Sequence, residues 1–109
     1  MNKTELIDKL FSLPGEIEAQ EHQVINAYEQ VQESKSILTE AEDVLQLSGA
    51  IDGKNAEIRS SQLRAQTANE RQAIQKAESN LSRERVILNR LNNELTTCKA
   101  IAELLKAGE

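Results

Sequence analysis

Residues 74–105 of this chain read IQKAESNLSRERVILNRLNNELTTCKAIAELL. Apolar residues recur here at alternating intervals of three and four positions, and no glycine or proline interrupts them. Such spacing is typical of a coiled-coil helix, whose apolar side chains form one stripe that packs on a partner helix. Glu84 is the polar exception within the stripe. The residues predicted to form this seam are Ile74, Leu81, Leu88, Leu91, Leu95 and Leu105.

The composition favours a few long helices. The chain has 109 residues, enough for one domain, with a single proline and four glycines. Helices of average length, about 11 residues, would need more breaks than these residues provide. Phenylalanine and tyrosine occur once each, whereas compact globular cores normally use more aromatic rings. Aliphatic seams between helices do not require such rings.

The first half of the chain is predicted to form the partner of this stripe. Residues 4–13 form a short helix with Thr4 as its N-cap, and Pro14 then produces a kink or a brief break. Residues 16–47 form the next helix, because large aliphatic residues recur there at intervals of seven positions. These residues are Ile17, Val24, Val31, Leu38 and Leu45.

One tight connection separates the two halves. Residues 48–54 contain Gly49 and the turn dipeptide Asp52-Gly53, and Asn55 is a good N-cap for a second long helix. We predict that this helix runs uninterrupted over residues 55–107, which would measure roughly 80 Å.

Residues 1–109 are therefore predicted to form one all-α domain, a long antiparallel helical hairpin. The apolar stripe of the last helix is wider than a single partner needs, because Val86, Ile87, Ile101 and Leu104 lie outside the seam. We expect the hairpin to assemble with further copies into a helical bundle, most simply as a homodimer.

Charge is divided unequally between the halves. Residues 1–50 carry ten acidic and three basic side chains, a net charge of −7, and residues 51–109 carry eight acidic and ten basic ones, a net charge of +2. This division is expected for helices that lie side by side, although exposed ion pairs contribute only about 0.2–1 kcal/mol each. Glu42 with Arg64 is one workable pair, and the charges alone leave the register open.

The sequence shows no constellation for catalysis or for ligand binding. His22 is the single histidine and Cys98 the single cysteine, which are too few for a zinc site. We expect a non-enzyme with no catalytic residue, metal, cofactor or small-molecule ligand. No stretch approaches the roughly 18 apolar residues of a membrane helix, and the first residues lack the pattern of a secretory signal. A cytoplasmic location without membrane contact is the resulting expectation.

The turn region carries a resemblance to a known group of proteins. Residues 52–63 read DGKNAEIRSSQL, and their Gly-Lys-Asn-Ala-Glu-x-Arg pattern resembles the turn that opens the second helix in small coiled-coil proteins of phages and prophages. Most of these have no assigned role, and some small phage proteins inhibit host nucleases or defence complexes. The resemblance implies that functional neighbourhood and assigns no role to a single residue.

Two functions are open at this point. The first is a structural or protein–protein interaction protein that binds itself and an unidentified protein, for example as a phage-type modulator or inhibitor of a host complex. Its predicted partner surface is the polar turn end, through Asp52, Lys54, Asn55, Glu57, Arg59, Arg64 and Arg71. The second is a nucleic-acid-binding accessory protein for recombination or nuclease inhibition, which would use the arginine face of the last helix. Interleaved acids and the lack of stacking aromatics favour the first.

Overall fold

The computed structural model describes residues 1–108, which form three α-helices. Helix α1 spans Lys3–Leu47, α2 spans Ala56–Gln66 and α3 spans Ala68–Ala107. Within the described residues there is no β-strand. The all-α class and the long helical hairpin predicted from the sequence are confirmed. Glu109, the last residue of the predicted domain, lies outside the described residues.

The chain packs as two compact units. The terminal unit combines Met1–Asn26 with the chain from Ser82 onward, and the turn unit is Ala27–Leu81. Each unit contains part of α1 and part of α3, so each has its own section of the apolar seam.

The helices of the terminal unit run antiparallel. Lys9 of α1 contacts Glu94 of α3. Eleven residues later on α1, Gln20 contacts Glu84, which lies ten residues earlier on α3. Residue numbers therefore rise on one helix as they fall on the other, which is the pairing expected of a hairpin.

The buried side chains follow the predicted stripe. The terminal unit buries Leu6, Leu13 and Cys98, against which Leu10, Leu91, Leu95, Ile101 and Ala102 pack. The turn unit buries Ala27, Val31, Thr67 and Leu81. Of the six predicted seam residues, Leu81 is buried and Ile74, Leu88, Leu91 and Leu95 are half-buried. Leu105 differs, because 44% of it is exposed near the end of α3.

Helix α1 is continuous through Pro14, so the predicted division into helices 4–13 and 16–47 does not hold. Burial from Leu6 to Leu45 alternates at four and three residues without a change of phase. Proline inside a helix costs about 3 kcal/mol, whereas full burial of one leucine contributes about 1.5–3 kcal/mol. Leu13 directly before Pro14 is buried and Ile17 after it is half-buried, so packing on either side of Pro14 outweighs the local defect. The cap is Asn2 rather than Thr4, and its side chain accepts from the Glu5 N–H at 2.8 Å.

The predicted uninterrupted helix over residues 55–107 is divided at Thr67 into α2 and α3. Thr67 has φ −116° and ψ 26°, away from helical values. Its fully buried hydroxyl donates to the Leu63 carbonyl at 2.6 Å and accepts from Arg71 Nε at 3.0 Å. Threonine bonds of this kind to the preceding turn bend helices, and here the bond coincides with the break.

The connection between α1 and α2 has the turn chemistry predicted for it. Helix α1 ends at Leu47, and Gly49 comes soon after with φ +77°, a left-handed conformation that glycine adopts without strain. The Ala50 N–H donates a hydrogen bond to the Leu45 carbonyl at 3.2 Å. Asn55 caps α2, as its spacing indicates, by accepting from the Ile58 N–H at 2.9 Å.

Candidate protein-binding surfaces

The loop before α2 is closed by side chains of α2 itself. The Gln62 carboxamide accepts from the Gly53 N–H at 2.9 Å and donates to the Asp52 carboxylate at 2.9 Å. The Arg59 guanidinium donates to the Gly53 carbonyl at 3.1 Å. These four residues form a cluster that we term the tip clasp, which holds the loop against the first two turns of α2.

The tip clasp requires glycine at position 53. A Cβ atom on Gly53 would lie 2.6 Å from Ile58 Cγ2 and 3.1 Å from the Arg59 backbone nitrogen. Since Asn55 serves as the cap of α2, the glycine, the asparagine and the arginine of the phage-like pattern all support the turn. The pattern is therefore accounted for by local folding, without a ligand.

The seven residues predicted to bind a partner divide into two groups. Four make contacts inside the chain: Asp52, Asn55, Arg59 and Arg71. The other three, Lys54, Glu57 and Arg64, are exposed without making these contacts, and Asp52, Asn55 and Arg59 are exposed as well. Arg71 stands apart from the tip, because its Nη2 lies 3.9 Å from a Glu42 carboxylate oxygen. Glu42 therefore pairs with Arg71, whereas the charge pattern had indicated Arg64.

Two polar contacts join the helices of the terminal unit. Gln20 Nε2 donates to the backbone carbonyl of Glu84 at 2.9 Å and also to its carboxylate. Lys9 Nζ lies 2.7 Å from Glu94 Oε1, and this hydrogen bond, followed by the attraction between the charges, raises the pKa of Lys9 above its usual 10.5. The Lys9 pair is largely exposed, so it orients the helices more than it stabilises them.

Many large apolar side chains lie on the outside. Among the described residues, twelve large hydrophobic side chains are at least 44% exposed. The exposed ones are Met1, Ile7, Phe11, Ile25, Tyr28, Ile37, Val44, Leu47, Ile58, Val86, Leu104 and Leu105. Phe11, which lies one position after Leu10 on α1, is 84% exposed. Leu6 and Leu10 face the seam, and Phe11 does not.

The turn unit has a shallow apolar groove. Its apolar lining comes from α1, and Glu70 from α3 and Glu40 from α1 also line it. The apolar residues are Ile37, Ala41, Val44 and Leu45. Ile37 and Val44 are 50% and 64% exposed, so this surface is open to another molecule.

The described residues offer little for chemistry. Within residues 1–108, no group of three or more His, Cys, Asp or Glu side chains is placed to hold a metal ion. Cys98 is fully buried in the seam. None of the helices described here combines the length and the hydropathy needed to cross a bilayer.

Comparisons of the chain with protein-family models, with curated proteins and with solved structures find no match. The resemblance of residues 52–63 to phage and prophage coiled-coil proteins stays a prediction. A functional proposal therefore depends on the contacts, the exposure and the charge within the chain itself.

Proposed function

We propose that this protein is a non-enzymatic coiled-coil protein that works by binding other protein chains, beginning with copies of itself. The observation that carries the proposal is the set of twelve large hydrophobic residues that are at least 44% exposed. Full removal of one such side chain from water contributes about 1.5–3 kcal/mol. Burial of several of them against a partner helix would therefore stabilise a complex.

The surface area supports the same proposal. The accessible surface is 7940 Å² for a chain of 12.1 kDa. A folded monomer of that mass is expected to expose about 6,000 Å². The excess of about 1,900 Å² on one chain is larger than the roughly 800 Å² that each partner buries in a standard protein–protein interface. Association of two copies would bring the exposed area per chain closer to the ordinary value.

Beyond self-association, we propose an unidentified protein partner and a cytoplasmic site of action. The exposed tip residues Lys54, Glu57 and Arg64 are the candidates for contact with that partner. The phage-like turn pattern favours a modulator or inhibitor of a host complex. A single thiol, buried in the seam, fits a compartment that does not form disulfides.

Sedimentation velocity at increasing micromolar concentrations tests the proposal. We expect the weight-average mass to rise from that of one chain toward that of two or more. The solution should retain the helical circular dichroism spectrum throughout, so that association and misfolding are separated. A folded chain that stays monomeric over the whole concentration range would contradict the proposal.

A nucleic-acid-binding accessory role is the second candidate, and exposed arginines on α3 favour it. Arg83, Arg85 and Arg90 are exposed, and Lys76 lies on the same helix. Phosphate binding by such residues weakens steeply as salt is added. Fluorescence anisotropy with labelled single-stranded and duplex DNA at low ionic strength distinguishes the roles. Binding that falls with salt would support this second role, and no binding at the lowest salt would exclude it.

A further inference from the structure

An acidic stripe runs along α1 in the turn unit. Glu33, Ile37, Glu40 and Val44 occur in succession at intervals of four, three and four residues, which places them on one helix face. Both glutamates are exposed, and Ile37 and Val44 are 50% and 64% exposed. The stripe borders the apolar groove of the turn unit, because three of its residues line that groove.

A basic stripe lies on α3 in the terminal unit. Arg83 and Arg90 are exposed, and Val86 and Ile87 lie between them. Val86 is 66% exposed, and Ile87 is half-buried. Arg83, Val86 and Ile87 border one shallow apolar depression on the surface. The terminal unit therefore presents an apolar ridge with a positive charge on either side.

The two stripes match in spacing and are opposite in charge. Glu33 and Glu40 are seven residues apart with Ile37 four positions after the first, and Arg83, Ile87 and Arg90 repeat that spacing. Seven helical residues span about 10.5 Å, so both glutamates can face both arginines at once. Each stripe carries the same charge at both of its ends, so the charges match whether the two helices run parallel or antiparallel.

We propose that the acidic stripe of one copy packs against the basic stripe of a second copy. In this contact Val86 and Ile87 enter the groove beside Ile37 and Val44, and the arginines pair with the glutamates. The mode is that of an apolar helix face in a hydrophobic groove, with surrounding charges setting the partner. The inference rests on the self-association proposed above and identifies the surfaces that carry it.

The second copy is favoured over other occupants because the chain itself carries both halves of the contact. A groove with acidic residues at its side calls for an apolar helix face flanked by bases, and α3 has one with the same spacing. Apart from the half-buried Ile87, the residues of both stripes are exposed in a single chain, so they are available between chains.

Reciprocal charge reversal tests this pairing. One variant carries Glu33→Lys and Glu40→Lys, and the other carries Arg83→Glu and Arg90→Glu. Alone, each variant places like charges opposite each other, so its self-association should weaken about tenfold or more. In an equimolar mixture, the lysine-substituted acidic stripe of the first variant faces the glutamate-substituted basic stripe of the second. The unchanged basic stripe of the first variant likewise faces the unchanged acidic stripe of the second. Mixing should therefore restore association, as should all four substitutions in one chain.

Controls separate this pairing from a general effect of net charge. Glu18→Lys with Glu21→Lys makes the same change in charge at exposed positions of α1 outside the stripe, and it should leave association unchanged. Circular dichroism confirms that each variant keeps its helices. Sedimentation velocity then gives the dissociation constants.

The outcomes distinguish this inference from the proposed function. Loss in each variant and recovery on mixing supports the stripe pairing. If the native chain associates but neither variant weakens this association, or if mixing does not restore it, the stripe pairing is overturned. Self-association would then occur through another surface. A native chain that never associates overturns both.

Discussion

Gln20 of α1 and Glu84 of α3 form a polar pair across the terminal unit, with the Gln20 carboxamide donating to both the carbonyl and the carboxylate of Glu84. Both side chains are half-buried, at positions where neighbouring turns carry aliphatic residues. Polar pairs in such seams fix which residues face each other, at some cost in stability. This pair helps to set the register that the charge pattern leaves open.

Replacement of Gln20 by leucine should destabilise the protein, because Glu84 then loses its hydrogen-bond partner. The expected fall in the free energy of unfolding is about 1 kcal/mol for this half-buried group. Substitution of both residues by leucine should remove the loss, since two apolar side chains then face each other. Urea denaturation followed by circular dichroism measures all three proteins. A double variant as unstable as Gln20→Leu would show that the pair is not the cause.

Pro14→Ala should stabilise the protein, because α1 is continuous there and alanine restores the N–H that proline lacks. The gain should approach about 3 kcal/mol, seen as a higher thermal midpoint. Gly15→Ala is the companion variant, since a Cβ there meets nothing within 4 Å. It should add about 1 kcal/mol through helix propensity. If only Gly15→Ala raised the midpoint, α1 would not be helical at Pro14.

Gly53→Ala should have the opposite effect to Gly15→Ala, although the substitution is the same. The new Cβ would collide with Ile58 Cγ2 and crowd the Arg59 backbone, so the tip clasp must open. A loss of about 1–3 kcal/mol is expected, as for other strained core substitutions. Faster amide hydrogen exchange confined to residues near the tip would locate the effect. Unchanged exchange at Gly53 and its neighbours would argue against the clasp.

Leu13 and Phe11 allow a buried and an exposed side chain of α1 to be compared. Leu13→Ala should cost about 2–5 kcal/mol, because the side chain is fully buried. Phe11→Ala should change unfolding of the single chain by no more than about 0.5 kcal/mol, since Phe11 is 84% exposed. If Phe11 contacts a second copy, its loss should instead raise the dissociation constant. Chemical denaturation at low concentration and sedimentation at high concentration separate the two effects.

The seam could be predicted from the sequence because its period is strict and long. From Ile74 to Ala102, each residue of the apolar rows is at least half-buried. The same period also continues through Pro14, where Leu10 and Leu13 keep step with Ile17. A local rule about proline predicts a break there, but the energy of burying two leucines is larger. Extension of the seven-residue count back across Pro14 would have revealed the continuous helix.

Other features depend on the partners that side chains find after folding. Thr67 has no helix-breaking residue beside it, and its effect comes from a hydroxyl that burial forces to bond Leu63. Gln62 resembles an ordinary helix residue in the sequence, and its contact with Gly53 spans nine positions. The candidate partner surface at the tip was predicted from its polarity, which does not reveal that Asp52 accepts a hydrogen bond from Gln62 and that Arg59 donates one to Gly53.

The tip clasp bears on how a sequence resemblance between this chain and another protein is interpreted. Gly53, Arg59 and Gln62 of the clasp, together with the cap Asn55, specify a corner, so another protein with the same four residues at the same separations is expected to share that corner's geometry. A shared function would have to be inferred from similarity outside these four residues. The hydrogen bonds of the corner do not involve the side chains of Lys54 and Glu57, so the proposed function predicts that related proteins with other partners differ at these two positions.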